Sequence, residues 1–298
     1  MRRLALLSAT TALMAQPAAA QLVPGRDLLA FPLGLTAEAP ALGTTAGFGF
    51  WNPATIAIPV GSRLRLAVGT MSAPVDVAVS AQLATVATRL HDGTTVGLSV
   101  VNASVQDLIR TESDPQSIGD EIPYSTTVLS LVAARPLGGV TVGVAARFRS
   151  GQMDDIRRHA VSMDVGAISR GLGRRDLRLA ASTFLASPFG GGRERMSVLG
   201  AADVRLMGLD SLHTSRAGIS LMSTDGLSHE DYGFVGARWG RLEGRVGAAR
   251  TRQYERTNWR ARLGIGFHHR GYAIGVAREE SAGNLSATYQ FSLSSVLR

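Results

Sequence analysis

The sequence predicts an all-β protein: a transmembrane, up-and-down antiparallel β-barrel of about fourteen strands. Two observations favour this fold class. From residue 61 onward, segments of about ten residues alternate apolar side chains with small or polar ones, and clusters of Gly, Pro and Asp separate the segments. The connections between the segments are alternately tight and long, which is the asymmetry of bacterial outer-membrane barrels.

The alternation is clearest in two stretches of the chain. From Trp259 to His268, the odd-numbered residues are apolar and the even-numbered residues are Arg, Gly or His. From Val140 to Arg149, the even-numbered positions carry Val, Ala or Phe, opposite Thr, Gly, Ala and Arg at the odd-numbered positions. Successive side chains of a strand point to opposite faces, so one face would contact lipid and the other would line the lumen.

Fourteen such segments fit between residues 61 and 298, and an even number places both ends of the wall on one side of the membrane. Between Ala84 and Thr88 the alternation is lost, which predicts a bulge or a wrong strand boundary. A soluble β-sandwich or propeller is the alternative fold class, but its outer face would be charged, whereas the second face here is rich in Gly, Ala, Ser and Thr. The predicted strands lie near residues 62–70, 77–90, 94–104, 122–135, 139–149, 157–169, 176–187, 194–206, 212–222, 230–239, 244–251, 257–268, 271–279 and 284–294.

The composition excludes several functions. The 298 residues include no Cys, which rules out a disulfide scaffold, thiolate zinc sites and cysteine catalysis. All 31 basic residues are Arg and the net charge is +8, yet the Arg residues are spread along the chain without interleaved aromatic side chains. Nucleic acid is therefore not an expected partner. No cofactor is implied by any motif.

The first twenty residues predict a secretory signal peptide. A positively charged start (Arg2 and Arg3) precedes a short apolar run, and three Ala residues at positions 18–20 form a small-residue cleavage site. The exported chain should therefore begin near Gln21. Export together with a barrel predicts location in the outer membrane, with outer-membrane lipid and lipopolysaccharide as partners.

Residues 21–60 form an N-terminal segment that precedes the predicted barrel of residues 61–298. The segment is apolar but broken by Pro and Gly, and irregular backbone is tolerated at membrane depth only inside the protein. A barrel of this size also has a lumen wider than its side chains can fill. We therefore expect the segment, with Trp51, Asn52 and Pro53 at its centre, to plug the lumen. The alternative is a partly ordered periplasmic leader.

Two stretches resemble a known family. The segment Ala46–Ala57 (AGFGFWNPATIA) resembles the stretch before the first strand in FadL-like outer-membrane proteins, most closely in the PorV/PorQ branch associated with type IX secretion. The region from Tyr124 through Arg135-Pro136-Leu137 to Asp164-Val165-Gly166-Ala167 resembles the hairpin pair in the middle of those barrels. The resemblance implies a barrel with an N-terminal luminal plug. It also implies a role in the binding or passage of hydrophobic or amphipathic ligands, or as a docking barrel in secretion.

Arginine supplies the candidate site residues, because many Arg fall on the polar face by alternation. Two interpretations remain open. The Arg side chains fill the lumen in pairs with Asp164, Asp203 and carbonyl groups of the plug, or they attract the carboxylate or phosphate group of a ligand. The candidate ligand or lumen residues are Arg63, Arg65, Arg147, Arg149, Arg260 and Arg262, with Arg178, Arg205 and Arg216 on the same face.

Catalytic and metal sites are not expected. The His residues show no metal-binding spacing, and His268-His269-Arg270 is expected to form a periplasmic turn. Asp154-Asp155 and His229-Glu230-Asp231 lie on the predicted outer side and could activate water, but no Gly-x-Ser-x-Gly motif accompanies them. We therefore predict that the protein is not an enzyme. An outer-membrane enzyme with a protease-like loop site and a simple structural porin are the alternatives.

Two roles in binding and transport remain open. A FadL-like transporter needs a lateral gap in its wall, for which Gly143, Gly166 and Gly264 are candidates because Gly can interrupt a strand. A secretion-associated barrel needs a partner surface, which the connection from Val105 to Glu121 would supply. Hydrophobic small molecules are the expected partners in the first case, and secreted proteins are expected in the second.

Overall fold

The computed structural model describes residues 22–29, 34, 36–73, 78–110, 120–187, 194–208, 213–253, 256–280 and 287–298. The predicted signal peptide (1–20) lies outside these residues, as do positions 111–119 of the connection predicted to carry a partner surface. Within the described part of the chain, fourteen antiparallel strands form a closed barrel, in which each strand pairs with its neighbours in sequence and the last pairs with the first. This confirms the predicted fold class. The strands are β1 (Leu64–Ser72), β2 (Val79–Arg89), β3 (Thr95–Val105), β4 (Tyr124–Leu137), β5 (Val140–Met153), β6 (Ile156–Ser169), β7 (Arg178–Phe184), β8 (Ser197–Met207), β9 (His213–Thr224), β10 (Ser228–Trp239), β11 (Leu242–Gln253), β12 (Arg256–His269), β13 (Tyr272–Glu279) and β14 (Thr288–Leu297).

The two faces of each strand differ as the alternation predicts. In β12, Ile265 and Phe267 are exposed on the outside of the barrel, whereas Arg262 and Gly264 are buried on the inside. An apolar surface around a closed barrel is stable in contact with lipid, and single-chain bacterial barrels of this kind span the outer membrane. The protein is therefore an outer-membrane β-barrel.

The longest connections, at positions 106–123 and 185–196, lie at one end of the barrel and identify it as extracellular, so the opposite end, with turns such as residues 240–241, is periplasmic. The β5–β6 connection, predicted to be a longer extracellular loop, has only two residues (154–155).

Aromatic side chains mark both ends of the lipid-facing surface. Trp239 and Tyr272 are exposed beside periplasmic turns, whereas Trp259 and Tyr289 are exposed near the opposite ends of their strands. Aromatic belts of this kind lie at the two membrane interfaces.

The bulge or wrong strand boundary predicted between Ala84 and Thr88 is not observed. Residues Ala84–Thr88 of β2 pair without interruption with both β1 and β3. The alternation is lost there because inward-facing Leu83 and Ala87 belong to hydrophobic clusters that include the N-terminal segment, so both faces of β2 carry apolar or small residues. Among the described pairings, a register shift occurs instead in β8, between Arg205 and Met207.

The wall has its shortest strand pairing between β6 and β7. Only three residue pairs connect these two strands in the described structure, beginning at Gly166 and Ser182, although β6 is 14 residues long. Strand β7 ends at Phe184 rather than at the predicted residue 187, because Leu185 adopts a left-handed backbone (φ 57°) and turns inward to a fully buried position. Within the described structure, the extracellular half of β6 therefore has no regularly paired strand on this side.

Most of the described residues of the N-terminal segment (22–60) lie inside the barrel. Gly25 packs against Thr126 near the extracellular end of β4. At the opposite end, the backbone N–H of Ile58 donates a hydrogen bond to Thr95 Oγ1 (3.1 Å), where β3 follows a periplasmic turn. The segment therefore runs along the length of the lumen. Its described part includes three short 3₁₀ helices, Asp27–Leu29, Pro40–Leu42 and Pro53–Ile56.

In the described part of the chain, no helix has the length and apolar character needed to cross a membrane.

Hydrophobic clusters join the segment to the strands. Each of the three clusters among the described residues takes side chains from both the segment and the wall. Trp51 and Phe184 belong to the first cluster, Ile56 and Ala87 to the second, and Leu28 and Met71 to the third. The segment and the wall therefore share a common core.

The lipid-facing assignment makes a testable prediction at Ile265, which is 68% exposed in the middle of β12. Ile265→Arg should lower the free energy of unfolding by about 2–4 kcal/mol, because it places a guanidinium near the middle of the bilayer. Denaturant unfolding in lipid vesicles measures this cost. The control is Gln152→Arg, near the extracellular end of β5, where the cost should stay below about 1 kcal/mol. Equal costs at the two positions would contradict the assignment.

Candidate functional site

The candidate functional site is the lumen, where the N-terminal segment meets the inward faces of the strands. Glycine allows the two backbones to approach closely. A Cβ atom at Gly166 would lie 2.1 Å from Asn52 Oδ1, and one at Gly143 would lie 2.5 Å from the backbone nitrogen of Ala54. These glycines therefore make room for the segment.

The lateral gap predicted at Gly143 and Gly264 is not present. Gly143 lies in uninterrupted pairings of β5 with β4 and β6, and Gly264 lies in uninterrupted pairings of β12 with β11 and β13. At Gly264 the absence of a side chain again makes room for the segment, since a Cβ atom would lie 2.3 Å from the carbonyl carbon of Thr36. Gly166 alone of the three lies at the edge of a short pairing, that between β6 and β7.

Asn52 caps the third 3₁₀ helix and joins it to the wall. Its Oδ1 accepts a hydrogen bond from the backbone N–H of Ala54 (3.0 Å), which is the usual N-cap interaction. Its Nδ2 donates to the carbonyl oxygens of Ala41 (2.8 Å) and Ala167 (3.2 Å). Pro53 follows at the first helical position, where no N–H is needed. Asn52 thus connects two parts of the segment to β6.

Trp51 is packed in an aromatic cluster beside the β6–β7 pairing. Its ring centroid lies 5.0 Å from that of Phe50 and 4.7 Å from that of Phe184, the last residue of β7. The carbonyl oxygen of Trp51 accepts a hydrogen bond from Ser182 Oγ (3.0 Å). Trp51 therefore places apolar surface directly behind the part of the wall with the fewest paired residues.

Arg147 is buried and joins the wall to the segment. Its guanidinium forms an ion pair with Asp164, and it donates hydrogen bonds to Ser130 Oγ (2.8 Å) and to the carbonyl oxygen of Phe50 (2.5 Å). It also lies over the ring of Phe184, 4.8 Å from the centroid. A buried guanidinium is stable only when its charge and its N–H groups are compensated, and these contacts supply that compensation.

Arg149 also joins the wall to the segment, at a position closer to the extracellular mouth. Its guanidinium binds both carboxylate oxygens of Glu194, at 2.7 and 2.9 Å. It also donates to the carbonyl oxygens of Pro24 (2.7 Å) and Val23 (2.8 Å). Glu194 belongs to the connection between β7 and β8, so Arg149 joins that connection, β5 and the beginning of the described segment.

Arg65 holds the segment near the periplasmic end. Its guanidinium lies over the ring of Phe48, 4.0 Å from the centroid, and donates a hydrogen bond to the carbonyl oxygen of Thr55 (3.2 Å). Both residues belong to the N-terminal segment. Arg65 therefore holds the last part of the segment against β1.

Arg260 and Arg262 form a four-residue network with Glu230 and Glu279. Arg260 donates to Glu279 (2.5 Å) and Glu230 (2.8 Å), and Arg262 binds the same two carboxylates. The guanidinium of Arg262 also lies over the ring of Tyr232, whose hydroxyl donates to the carbonyl oxygen of Ala37 (2.9 Å). The two positive and two negative charges balance, so this network favours no free anion.

Arg63 differs from the other predicted site residues. The alternation places it on the inward face, but β1 begins at Leu64 and Arg63 is exposed at the periplasmic end of the barrel. Alternation identifies a face and not a depth along the strand, so the inward assignment did not show that Arg63 lies at the mouth. The structure therefore places the other five predicted Arg residues along the lumen and Arg63 at its mouth.

Residues on β7, β8 and β9 form a further ion-pair group on the luminal face. Asp203 accepts bidentate contacts from Arg178, with distances of 2.5 and 2.9 Å, and contacts from Arg216 at 2.9 and 3.0 Å. Arg205 lies 3.8 Å from Asp176. The sequence placed these Arg residues on the polar face, and Asp203 balances part of their charge.

The candidate hydrolytic residues are not assembled. His229 Nε2 contacts Asp231 (2.9 Å), whereas Glu230 between them is buried on the luminal side. Asp154 forms an ion pair with Arg110 (2.7 Å) at the extracellular end. Among the described residues, no cluster of His, Asp and Glu could hold a metal ion.

His268 was assigned to a periplasmic turn, but it lies within β12. Its Nε2 contacts Glu243 Oε2 at 2.9 Å. The turn follows His269, at residues 270–271. The even-numbered pattern of β12 placed His268 on the polar face, and that signal was more informative than its proximity to Gly271.

Sequence reasoning missed three of the acidic partners of the luminal arginines. Glu194, Glu230 and Glu279 neutralise Arg149, Arg260 and Arg262, and none was predicted as an arginine partner, although Glu230 was considered as a hydrolytic residue. Alternation could have placed Glu279 inward, because it ends the apolar pattern of β13 on the buried face. Glu194 carries no such signal, since it lies in an irregular connection.

No protein-family profile and no curated protein matches this sequence. Among solved structures, the CymD monoaromatic hydrocarbon channel is similar with a TM-score of 0.52 and 10% sequence identity, over 90% of this chain and 98% of that chain. OprB of Pseudomonas putida has a TM-score of 0.45 and 11% identity, over 79% and 92% of the two chains. A triple mutant of the Rhodopseudomonas blastica porin has a TM-score of 0.42 and 9% identity, over 78% and 99%. The similarity to CymD concerns the fold.

The contact between Gly166 and Asn52 can be tested by one added methyl group. Gly166→Ala should displace Asn52 and lower the free energy of unfolding by about 1–3 kcal/mol, the usual cost of overpacking. The control is Gly200→Ala in β8, where a Cβ atom meets no atom within 4 Å. Thermal unfolding in detergent measures both variants. Equal stability of the two variants would show that the segment does not pack against β6 as described.

Proposed function

We propose that this barrel passes small apolar molecules sideways, from its extracellular mouth into the membrane, through the wall between β6 and β7. The N-terminal segment closes the direct path along the barrel axis in this proposal. One observation carries it: the short β6–β7 pairing lies next to an apolar luminal cluster, and the buried charges described beside it are compensated.

The contacts that replace the missing pairs are irregular. The backbone N–H of Met163 donates to the carbonyl oxygen of Ala186 (2.8 Å), and that of Val165 donates to Thr183 Oγ1 (3.1 Å). The backbone N–H of Ala186 donates to Asp164 Oδ1 (2.9 Å). Fewer regular hydrogen bonds must therefore break for this part of the wall to open than at the neighbouring pairings of β5 with β6 or β8 with β9.

The chemistry of the luminal surface favours an apolar substrate. Phe50, Trp51, Phe184 and Leu185 form a continuous cluster behind the short pairing. A polar solute would have to give up its hydrogen bonds with water to cross this cluster, whereas an apolar molecule would gain from the contact. Aromatic rings also stack favourably on aromatic side chains, so a monoaromatic hydrocarbon suits this surface.

Two similarities support the same substrate class. The CymD channel, which shares this fold, is named for monoaromatic hydrocarbons. The FadL-like resemblance of Ala46–Ala57 also implies passage of hydrophobic ligands. Membership of the PorV/PorQ branch and a docking role in secretion stay predictions, because residues 111–119 of the candidate partner surface lie outside the described structure.

A disulfide across the wall tests the lateral route. The natural chain has no Cys, so Met163→Cys with Ala186→Cys introduces one defined pair beside an existing backbone hydrogen bond. Oxidation should reduce uptake of labelled toluene by cells carrying the barrel to the level of cells without it, and reduction should restore uptake. The reason is that a covalent bond prevents β6 and the β7–β8 connection from separating.

The matched control is a disulfide between Val198→Cys and Ser223→Cys, which are paired in the continuous β8–β9 register. Oxidising this pair should leave toluene uptake unchanged. Full uptake through the oxidised Met163→Cys/Ala186→Cys barrel would rule out the lateral route. Uptake that never exceeds that of barrel-free cells would reject transport of this compound class and favour the docking role.

The axial closure has its own test. Deletion of residues 25–58 with the signal peptide retained should convert a poorly conducting protein into an open channel in planar bilayers, because a barrel of this size has a lumen wider than its side chains fill. Single-channel current measures the change. Porin-like conductance of the intact protein, unaltered by the deletion, would show that the segment does not close the lumen.

A further inference from the structure

Three arginines come together at the periplasmic mouth. The backbone N–H of Arg89 donates to the carbonyl oxygen of Arg63 (2.9 Å), so the two residues extend the β1–β2 register and stand opposite each other. The backbone N–H of Arg63 donates to the carbonyl oxygen of Leu297 (2.9 Å), which brings Arg298 to the same place. Three neighbouring strands therefore deliver one guanidinium each.

These side chains line one pocket. It has a volume of about 650 Å³ and is lined by Arg63, Arg89 and Arg298, together with His91 from the turn between β2 and β3. Thr88 lines it as well, and its hydroxyl donates to the carbonyl oxygen of Arg63 (3.3 Å). The pocket is thus concave, basic and supplied with side-chain donors.

Among the described residues, this pocket has no acidic side chain of the kind that compensates the arginines of the lumen. In the described part of the chain, none of the three arginines forms an ion pair with an Asp or Glu side chain. Arg89 makes one long hydrogen bond, to the carbonyl oxygen of Pro59 (3.4 Å). The carboxylate of nearby Asp92 is bonded to Thr94 and lies 3.7 Å from Arg135.

Like charges placed opposite each other on adjacent strands destabilise a sheet. Buried luminal arginines such as Arg147 and Arg262 avoid this cost through Asp or Glu partners, whereas the opposed Arg63 and Arg89 have no acidic side chain as a partner among the described residues. Opposed like charges of this kind are expected at a functional site, where a ligand supplies the negative charge. Guanidinium groups bind phosphate and carboxylate oxygens with two parallel hydrogen bonds each.

We propose that the pocket formed by Arg63, Arg89, His91 and Arg298 binds a phosphate group at the periplasmic mouth of the barrel. The phosphate belongs either to the headgroup of an anionic phospholipid or to a free phosphate ion. The position at the mouth, beside exposed Leu90, makes both sources accessible. This proposal does not depend on the lateral route.

The test uses the full-length exported barrel, purified in a neutral detergent at low ionic strength. One arm titrates inorganic phosphate and measures the melting temperature, and the other measures binding of phosphatidylglycerol in mixed micelles. The site variant is Arg63→Gln with Arg89→Gln. The control variant, Arg174→Gln with Arg175→Gln, removes the same charge from exposed positions in another periplasmic connection.

The unmodified barrel and the control variant should bind phosphatidylglycerol saturably, and the site variant at least tenfold more weakly. Stabilisation by phosphate alone, lost in the site variant, would show that the free ion is sufficient. Binding of phosphatidylglycerol without any effect of phosphate on the melting temperature would assign the site to the lipid headgroup. Unchanged binding in the site variant would overturn the proposal, because it would exclude these residues from the site. Equal weakening of binding in both variants would also overturn it, because it would show only a general attraction between charges.

Without any ligand, single substitutions at two of the same positions give a second measurement that does not depend on the choice of probe. Arg63→Gln should raise the melting temperature in phosphate-free, low-salt buffer, because it removes repulsion between opposed guanidinium groups. Arg174→Gln should leave it unchanged. A lower melting temperature for Arg63→Gln would show that the arginines are already compensated within the protein and would overturn the proposal.

Discussion

The structure depends on hydrogen bonds between buried guanidinium groups of the wall and carbonyl oxygens of the N-terminal segment. An irregular segment inside a membrane protein has backbone groups that no neighbouring strand satisfies, and a buried guanidinium has five N–H groups and a full charge to compensate. Arg147 and Arg149 meet both needs, because each binds a carboxylate and also carbonyl oxygens of the segment. The buried polar groups of the wall and those of the segment therefore compensate each other.

This mutual dependence explains the unusual inner face of the barrel. Where the segment's backbone comes close, the wall carries Gly, as at Gly143 and Gly166. Where the segment presents carbonyl oxygens or aromatic rings, the wall carries Arg, as at Arg65. The small and basic residues of the inner face therefore follow the path of the segment. The carboxylates that complete this arrangement come from the strands and, in the case of Glu194, from the connection between β7 and β8.

The same connection links luminal packing to the shape of the wall. Leu185 leaves the strand to join the apolar cluster around Trp51, and β7 ends there in consequence. Among the residues that the structure describes, a short β7 leaves the outer half of β6 without a regular partner. The short β6–β7 pairing, from which we infer lateral passage, is therefore a result of the packing of Leu185 inside the lumen. At the periplasmic mouth the segment has ended, and there Arg63 and Arg89 stand opposite each other, with no Asp or Glu partner in the part of the chain that the structure describes.

The sequence by itself determined the fold class, the number of strands and the inward or outward direction of most side chains, because alternation with period two is a local property of a strand. It placed Arg147 and Arg262 on the inner face for the same reason. It also named Asp164 and Asp203 as partners of the luminal arginines. Tertiary structure alone decided which arginine each carboxylate meets, the pairing of Arg149 with Glu194, the depth of Arg63 at the mouth, and the early end of β7. Which groups meet inside a closed barrel depends on how the segment and the strands pack together, as in the contact of Arg149 with Val23, 126 positions away. Alternation within a single strand does not encode such contacts.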